Sequence, residues 1–192
     1  KHTFFEESVK VPLIMRLPDV LPAGETRDHV VNLVDLSQTM LDAMDVPQLA
    51  HADGRSFWPV AIDASQPWEN ETFSEYCTDA VPAWTGGRAV QQRMIRSKNW
   101  KLTIFDREPP LLFDLETDPQ ELNNRANDPE CAKILQKLTE RVLENWTPET
   151  IAARMQERRI DKDLLAAWGQ KVQPEESHIW KFSTDMNRLD DV

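Results

Sequence analysis

The sequence predicts an α/β protein in which the end of a large mixed sheet leads into a small α+β subdomain, with an antiparallel sheet and one packed helix, and then into a helical and irregular tail. Three observations predict it. Residues 11–44 pass from a short apolar run into helical periodicity, residues 71–115 hold segments of strand composition, and Asp128-Pro129-Glu130 opens an amphipathic stripe. The expected organisation is residues 1–70 as the closing part of an α/β domain, 71–146 as the subdomain and 147–192 as the tail.

Residues 11–17 are apolar except for Arg16 and stop at Pro18, which reads as an interior strand. Leu36, Met40 and Met44 follow at i, i+4 and i+8 and predict a buried helix stripe, with Asp35 placed as its cap. Val46-Pro47 and Gly54-Arg55-Ser56-Phe57 are loop punctuation. Residues 61–70 form a polar connection, where the boundary is placed. Beyond it, residues 71–77 and 93–105 have strand composition, the latter folded at a hairpin turn over residues 97–100. Residues 111–115 give a third strand. It ends at a turn started by Asp118-Pro119, with Asn123 and Asn124 offering side chains to loop backbone groups. Lys98 and Lys101 are expected to solvate the edge of the hairpin.

Asp128, Pro129 and Glu130 supply a cap, a first-turn proline and a negative charge at the positive helix end. Cys131, Leu135, Leu138, Val142 and Trp146 form the stripe that should pack on one face of the sheet. Thr147-Pro148-Glu149 repeats the start signal for one or two further helices ending at Gly169, with residues 156–163 as a solvated charged face. The acidic tail, residues 172–192, carries His178, Trp180 and Phe182 and is expected to wrap a neighbouring subunit in a homo-oligomer.

A chain of 192 residues, 40% hydrophobic and with seven tryptophans, can build a core and is not compositionally disordered. The formal charge of −11 repels phosphate backbones and argues against a nucleic-acid partner. No apolar run approaches the roughly twenty residues of a membrane span, so no membrane partner is expected. Cys77 and Cys131 are too few for a disulfide framework and read as two buried free thiols, which favours a cytoplasmic protein, with a periplasmic one as the alternative. His2, His29, His51 and His178 lack metal-pair spacing, and no metal ligand is assigned within the chain.

Two segments carry chemistry. The first is Lys1, Thr3, Phe4-Phe5 and Glu6, followed by Lys10-Val11-Pro12 and an apolar run. The second is Arg96-x-x-x-Trp100-Lys101-Leu102, then Leu112-Phe113-Asp114-Leu115-x-x-Asp118-Pro119-x-Glu121-x-Asn123-Asn124. The first resembles the sulfatase pattern of a lysine, a hydroxyl residue, an aromatic and a glutamate ahead of a basic residue and Val-Pro. The second closely resembles the carboxy-terminal signature of the same family. The chain is therefore identified as the C-terminal part of a sulfatase of the alkaline-phosphatase-like superfamily, expected to begin inside a larger enzyme.

The resemblance implies that Lys1 contacts the sulfate as a catalytic and substrate-binding residue, with His2 beside it lining the pocket. A fixed ammonium there stabilises charge that grows as the S–O bond breaks. Glu6 is otherwise read as a partner of Lys10. The resemblance also implies a formylglycine nucleophile and a divalent cation, usually calcium, both supplied by residues upstream, so that the isolated chain should be inactive. Ser65-Gln66-Pro67-Trp68-Glu69 does not match the Cys/Ser-x-Pro-x-Arg motif. The partner is then a small sulfate ester. Glu75-Tyr76-Cys77, Arg158-Arg159 and the acidic tail bearing Trp180 resemble choline-sulfatase-like members, in which Trp180 would meet a quaternary ammonium. Two alternatives stay open: a phosphonate or phosphate ester hydrolase of the same superfamily, and a free-standing acidic interaction module.

Overall fold

The computed structural model describes residues 3–78 and 89–173. Four strands, β1 (Glu71–Cys77), β2 (Gln91–Ser97), β3 (Trp100–Phe105) and β4 (Leu111–Asp114), pair antiparallel in the order β1-β2-β3-β4. The β2–β3 connection is a two-residue turn. Lys98 supplies it with a left-handed φ of 52°, as such a tight reversal requires. The register places Ile95 opposite Leu102 and Leu102 opposite Leu112, all on one face. Arg96, Lys101 and Phe113 are aligned on the other face, together with Thr103.

The first face is covered by α4 (Ala132–Val142), which follows a 3-10 turn over Pro129–Cys131. Asp128 Oδ1 accepts the Glu130 N–H at 2.9 Å, the capping arrangement its sequence position predicts. Cys131, Leu138 and Val142 join Ile95, Leu102 and Leu112 in the core, with Phe73, Trp100 and Leu135 packed around them. Arg93 crosses from the sheet to close the helix end, donating to the Val142 carbonyl at 2.8 Å. Its guanidinium lies 4.6 Å from the Phe73 ring centroid. Trp146, last of the stripe, is also buried.

Three short helices precede the sheet: α1 (Glu6–Val9), α2 (Asp35–Ala43) and α3 (Trp58–Ile62). The segment leading into α2 is tied to β1 and the residue before it by side chains. Asn32 donates to Thr72 Oγ1 at 2.7 Å and to the Phe73 carbonyl at 2.9 Å, and Asn70 Oδ1 accepts the Val30 N–H at 2.9 Å.

Several expectations are corrected here. Residues 11–17 are not a strand, and Val11, Leu13, Met15 and Leu17 are exposed, with Ile14 at 91%. An extended segment becomes a strand only where another satisfies its backbone groups, and none of β1–β4 pairs with it. In α2 the predicted stripe is inverted, with Met40 and Met44 exposed and Asp35, Gln38 and Thr39 buried. The polar face is buried because each of its side chains ties a loop. Gln38 donates to the Leu49 carbonyl and accepts the Leu49 N–H at 3.1 and 3.0 Å, while Thr39 Oγ1 accepts the Phe57 N–H at 3.0 Å. Asp35 is the first helical residue and not the cap. Its carboxylate accepts the Asn32 and Arg55 N–H groups, each at 2.8 Å.

Cys131 is buried as expected, but Cys77 is only half-buried. The segment after Trp146 is one helix, α5 (Pro148–Val172), started by a capping box between Thr147 and Thr150. Of its side chains only Ile151 is buried, and Ile160, Leu164, Leu165 and Trp168 are exposed. Among the described residues no helix is long and apolar enough to cross a membrane.

Candidate functional site

The second face of the sheet receives the N-terminal segment. Lys101, on β3, is 1% exposed, which overturns the expectation that it solvates the hairpin edge. A lysine so enclosed must have every donor and its charge satisfied. It does: Lys101 Nζ donates to the Phe4 carbonyl at 2.8 Å and lies 2.7 Å from both Glu6 Oε1 and Glu121 Oε1. The Glu121 side chain is 1% exposed and that of Glu6 20%. Arg96, level with Lys101 across the β2–β3 pair, reaches Glu6 Oε1 at 3.3 Å and brings the cluster to two cations and two anions.

Glu121 closes the arrangement from the other side. Its Oε2 accepts the Glu6 backbone N–H at 2.6 Å. The turn that carries it is built by Asp118, whose carboxylate accepts the N–H groups of Leu122 and Asn123 at 3.1 and 2.8 Å. Glu121 itself has a left-handed φ of 56°, an uncommon state for a residue with a long side chain. Asn124 holds the following loop to β4, accepting the Leu112 N–H at 2.9 Å, and it also serves loop backbone groups as expected, accepting the Ala126 N–H at 3.0 Å and donating to the Pro110 carbonyl at 3.2 Å. Phe5 packs on Phe113 with ring centroids 6.0 Å apart. Glu6 therefore does not pair with Lys10.

The space beneath Phe4 and Phe5, bounded by Gln92, Thr103 and Glu121, is a cavity of about 50 Å³. Drug-sized ligands need several hundred Å³, so this is a packing gap at an anchor and not an ester site. Lys1 and His2, the sequence-predicted site residues, lie outside the described residues, as do His178, Trp180 and Phe182. Glu75 is engaged by Arg93 at 3.1 Å. Among the described residues no group of three or more His, Cys, Asp or Glu side chains could hold a metal ion.

Sequence reasoning found the two motifs but not their meeting. Glu6 belongs to the first, and Arg96, Lys101 and Glu121 to the second. The signal available was a lysine inside an otherwise core-forming strand, Trp100-Lys101-Leu102-Thr103, together with two glutamates at fixed motif positions.

The family model described as "N-sulphoglucosamine sulphohydrolase, C-terminal" matches residues 1–147. The chain belongs to this sulfatase family. Arylsulfatase K of Gallus gallus is 32% identical over 149 residues, covering 72% of the chain and 26% of the relative. Among solved structures, BT4656 in complex with its substrate D-glucosamine-2-N,6-O-disulfate matches with a TM-score of 0.57 at 25% identity, over 68% of this chain and 26% of that one. The phosphonate monoester hydrolase of Silicibacter pomeroyi matches with a TM-score of 0.55 at 27% identity, over 68% and 27%. The sulfatase chain thus spans about a quarter of the length of these proteins.

Proposed function

We propose that this chain is the C-terminal part of a longer sulfatase that hydrolyses a small sulfate ester, and that Lys1 brings an ammonium to the sulfate. The observation that carries the reading is the junction of the two signature segments in one buried cluster, with membership in the family behind it. The segment bearing Lys1 is bonded to the sheet through Phe4 and Glu6, so this subdomain acts as the platform on which a substrate-facing segment is laid. A fixed cation near the ester oxygens favours the transition state over the ground state. The apolar side chains of residues 11–17 are surface that a larger sheet would cover. Formylglycine as nucleophile and calcium as the cation are supplied, on this reading, by other parts of the longer protein.

Assaying the full-length protein against a matched aryl sulfate and aryl phosphonate monoester tests this. Faster turnover of the sulfate, with Lys1→Ala lowering kcat/KM by roughly 10²-fold or more, is the expected result. Preference for the phosphonate ester would move the protein to the reaction named for the Silicibacter pomeroyi neighbour.

A further inference from the structure

We propose that the Glu6–Lys101–Glu121 cluster is a positioning device for Lys1, an inference that rests on the role given to Lys1 above. Stability alone does not account for the cluster. Buried ion pairs are often no better than well-packed apolar groups of the same volume, and this face of the sheet already offers Phe105, Leu111 and Phe113 for packing. What an apolar patch cannot do is fix the direction and register of a main chain lying across it. This cluster does both. Lys101 takes the Phe4 carbonyl and Glu121 takes the Glu6 N–H, so two backbone groups flanking Phe5 are gripped by side chains from two different elements.

Each grip is then locked by the other. The Lys101 ammonium holds Glu121 and Glu6 at 2.7 Å, so the carboxylate that binds the Glu6 N–H cannot turn without breaking a buried ion pair. The left-handed backbone of Glu121 is a further cost accepted at this point. Lys1 precedes Phe4 by three residues. Covalent geometry keeps their Cα atoms within roughly 10 Å, so an anchor at Phe4 limits the reach of the Lys1 ammonium. Glu6, Lys101 and Glu121 are positioning residues: none need touch the ester.

The test uses the full-length enzyme and p-nitrophenyl sulfate. In the triple variant Glu6→Gln, Lys101→Met, Glu121→Gln, these three side chains are uncharged and keep their volume, while Arg96, 23% exposed, keeps its charge. Its melting temperature should stay close to the parent's while kcat/KM falls by roughly 10²-fold, the scale of a displacement of about 1 Å in a reacting group. Adding Lys1→Ala should bring little further loss, because the two changes act through one ammonium. Glu6→Ala, which leaves Lys101 paired with Glu121, guards against misfolding of the triple variant. It should show a smaller loss that likewise disappears in the Lys1→Ala background.

A triple variant with parental kcat/KM overturns the proposal. So do losses that multiply with that of Lys1→Ala, which indicate an independent structural effect. If Lys1→Ala itself leaves hydrolysis unchanged, the role of Lys1 falls and the proposal falls with it. A large loss in Lys1→Ala beside no loss in either cluster variant removes only the positioning role.

Discussion

Lys101 on β3 and Glu6 at the start of α1 meet with Nζ 2.7 Å from Oε1, and the same ammonium holds Glu121 Oε1 at 2.7 Å. Removing the cation leaves a carboxylate that is 1% exposed without compensation. Lys101→Met is therefore expected to destabilise the protein by about 3–5 kcal/mol, and adding Glu6→Gln and Glu121→Gln should return most of that loss. Urea denaturation of the three-member series measures it. Equal stability of the single and triple variants would contradict the buried pairing.

Gly54 gives a second test, in the loop before α3. A Cβ built there lies 2.1 Å from the Val34 carbonyl oxygen and 2.6 Å from its carbon. These are backbone atoms at the start of α2, and they cannot yield without moving Asp35 away from the Arg55 N–H it holds at 2.8 Å. Gly54→Ala should destabilise by about 1–3 kcal/mol, the usual scale of overpacking, read as a lower melting temperature. An unchanged melting temperature would show that α2 can shift freely.

How much of this was legible follows from what local sequence encodes. The strands of the sheet, the hairpin turn over residues 97–100 and the Asp128 cap are legible because strand composition, turn chemistry and capping act within a few residues. Periodicity mispredicts the burial of α2 because its polar side chains are taken by Leu49, Arg55 and Phe57, partners that it does not reveal. Residues 11–17 have strand composition but pair with no strand here, since pairing is a property of neighbours. The site failed differently. Each motif is legible in the sequence, yet Lys101 reads as solvated because a lysine near a hairpin usually is. Its partners come from the N-terminal segment and from the turn after β4, and only tertiary contact brings them together.

The thiols should separate by reactivity. Burial is the main cause that pushes the Cys77 thiol up, the Glu75 charge adds to it, and the Gln92 N–H opposes it. At about pH 8, Cys77 should alkylate more slowly than a free thiol with its pKa of about 8.5. Cys131, 4% exposed at the turn leading into α4, should react only on unfolding. Iodoacetamide labelling with peptide mass spectrometry reads both. Native-state labelling of Cys131 as fast as Cys77 would mean that α4 opens readily.

Asp63, in the turn after α3, provides a pH signature free of the buried cluster. Its carboxylate accepts the Gln66 side-chain amide at 2.9 Å, then the Ser65 N–H at 2.9 Å and the Ser65 hydroxyl at 2.8 Å. These donors, Gln66 foremost, favour the ionised form and hold the carboxyl down to about 2. The unfolded value is about 3.9. A depressed folded value means that the ionised side chain favours the folded turn above the unfolded value, and that this contribution is lost as pH falls through about 2. The carboxyl is open to solvent, so the effect is local order of residues 63–66 and not a change in global stability. Carbon-13 NMR titration should give a midpoint near 2, and Gln66→Ala should move it upward toward the ordinary aspartate range. A wild-type midpoint already in that range would show that the turn does not form in solution.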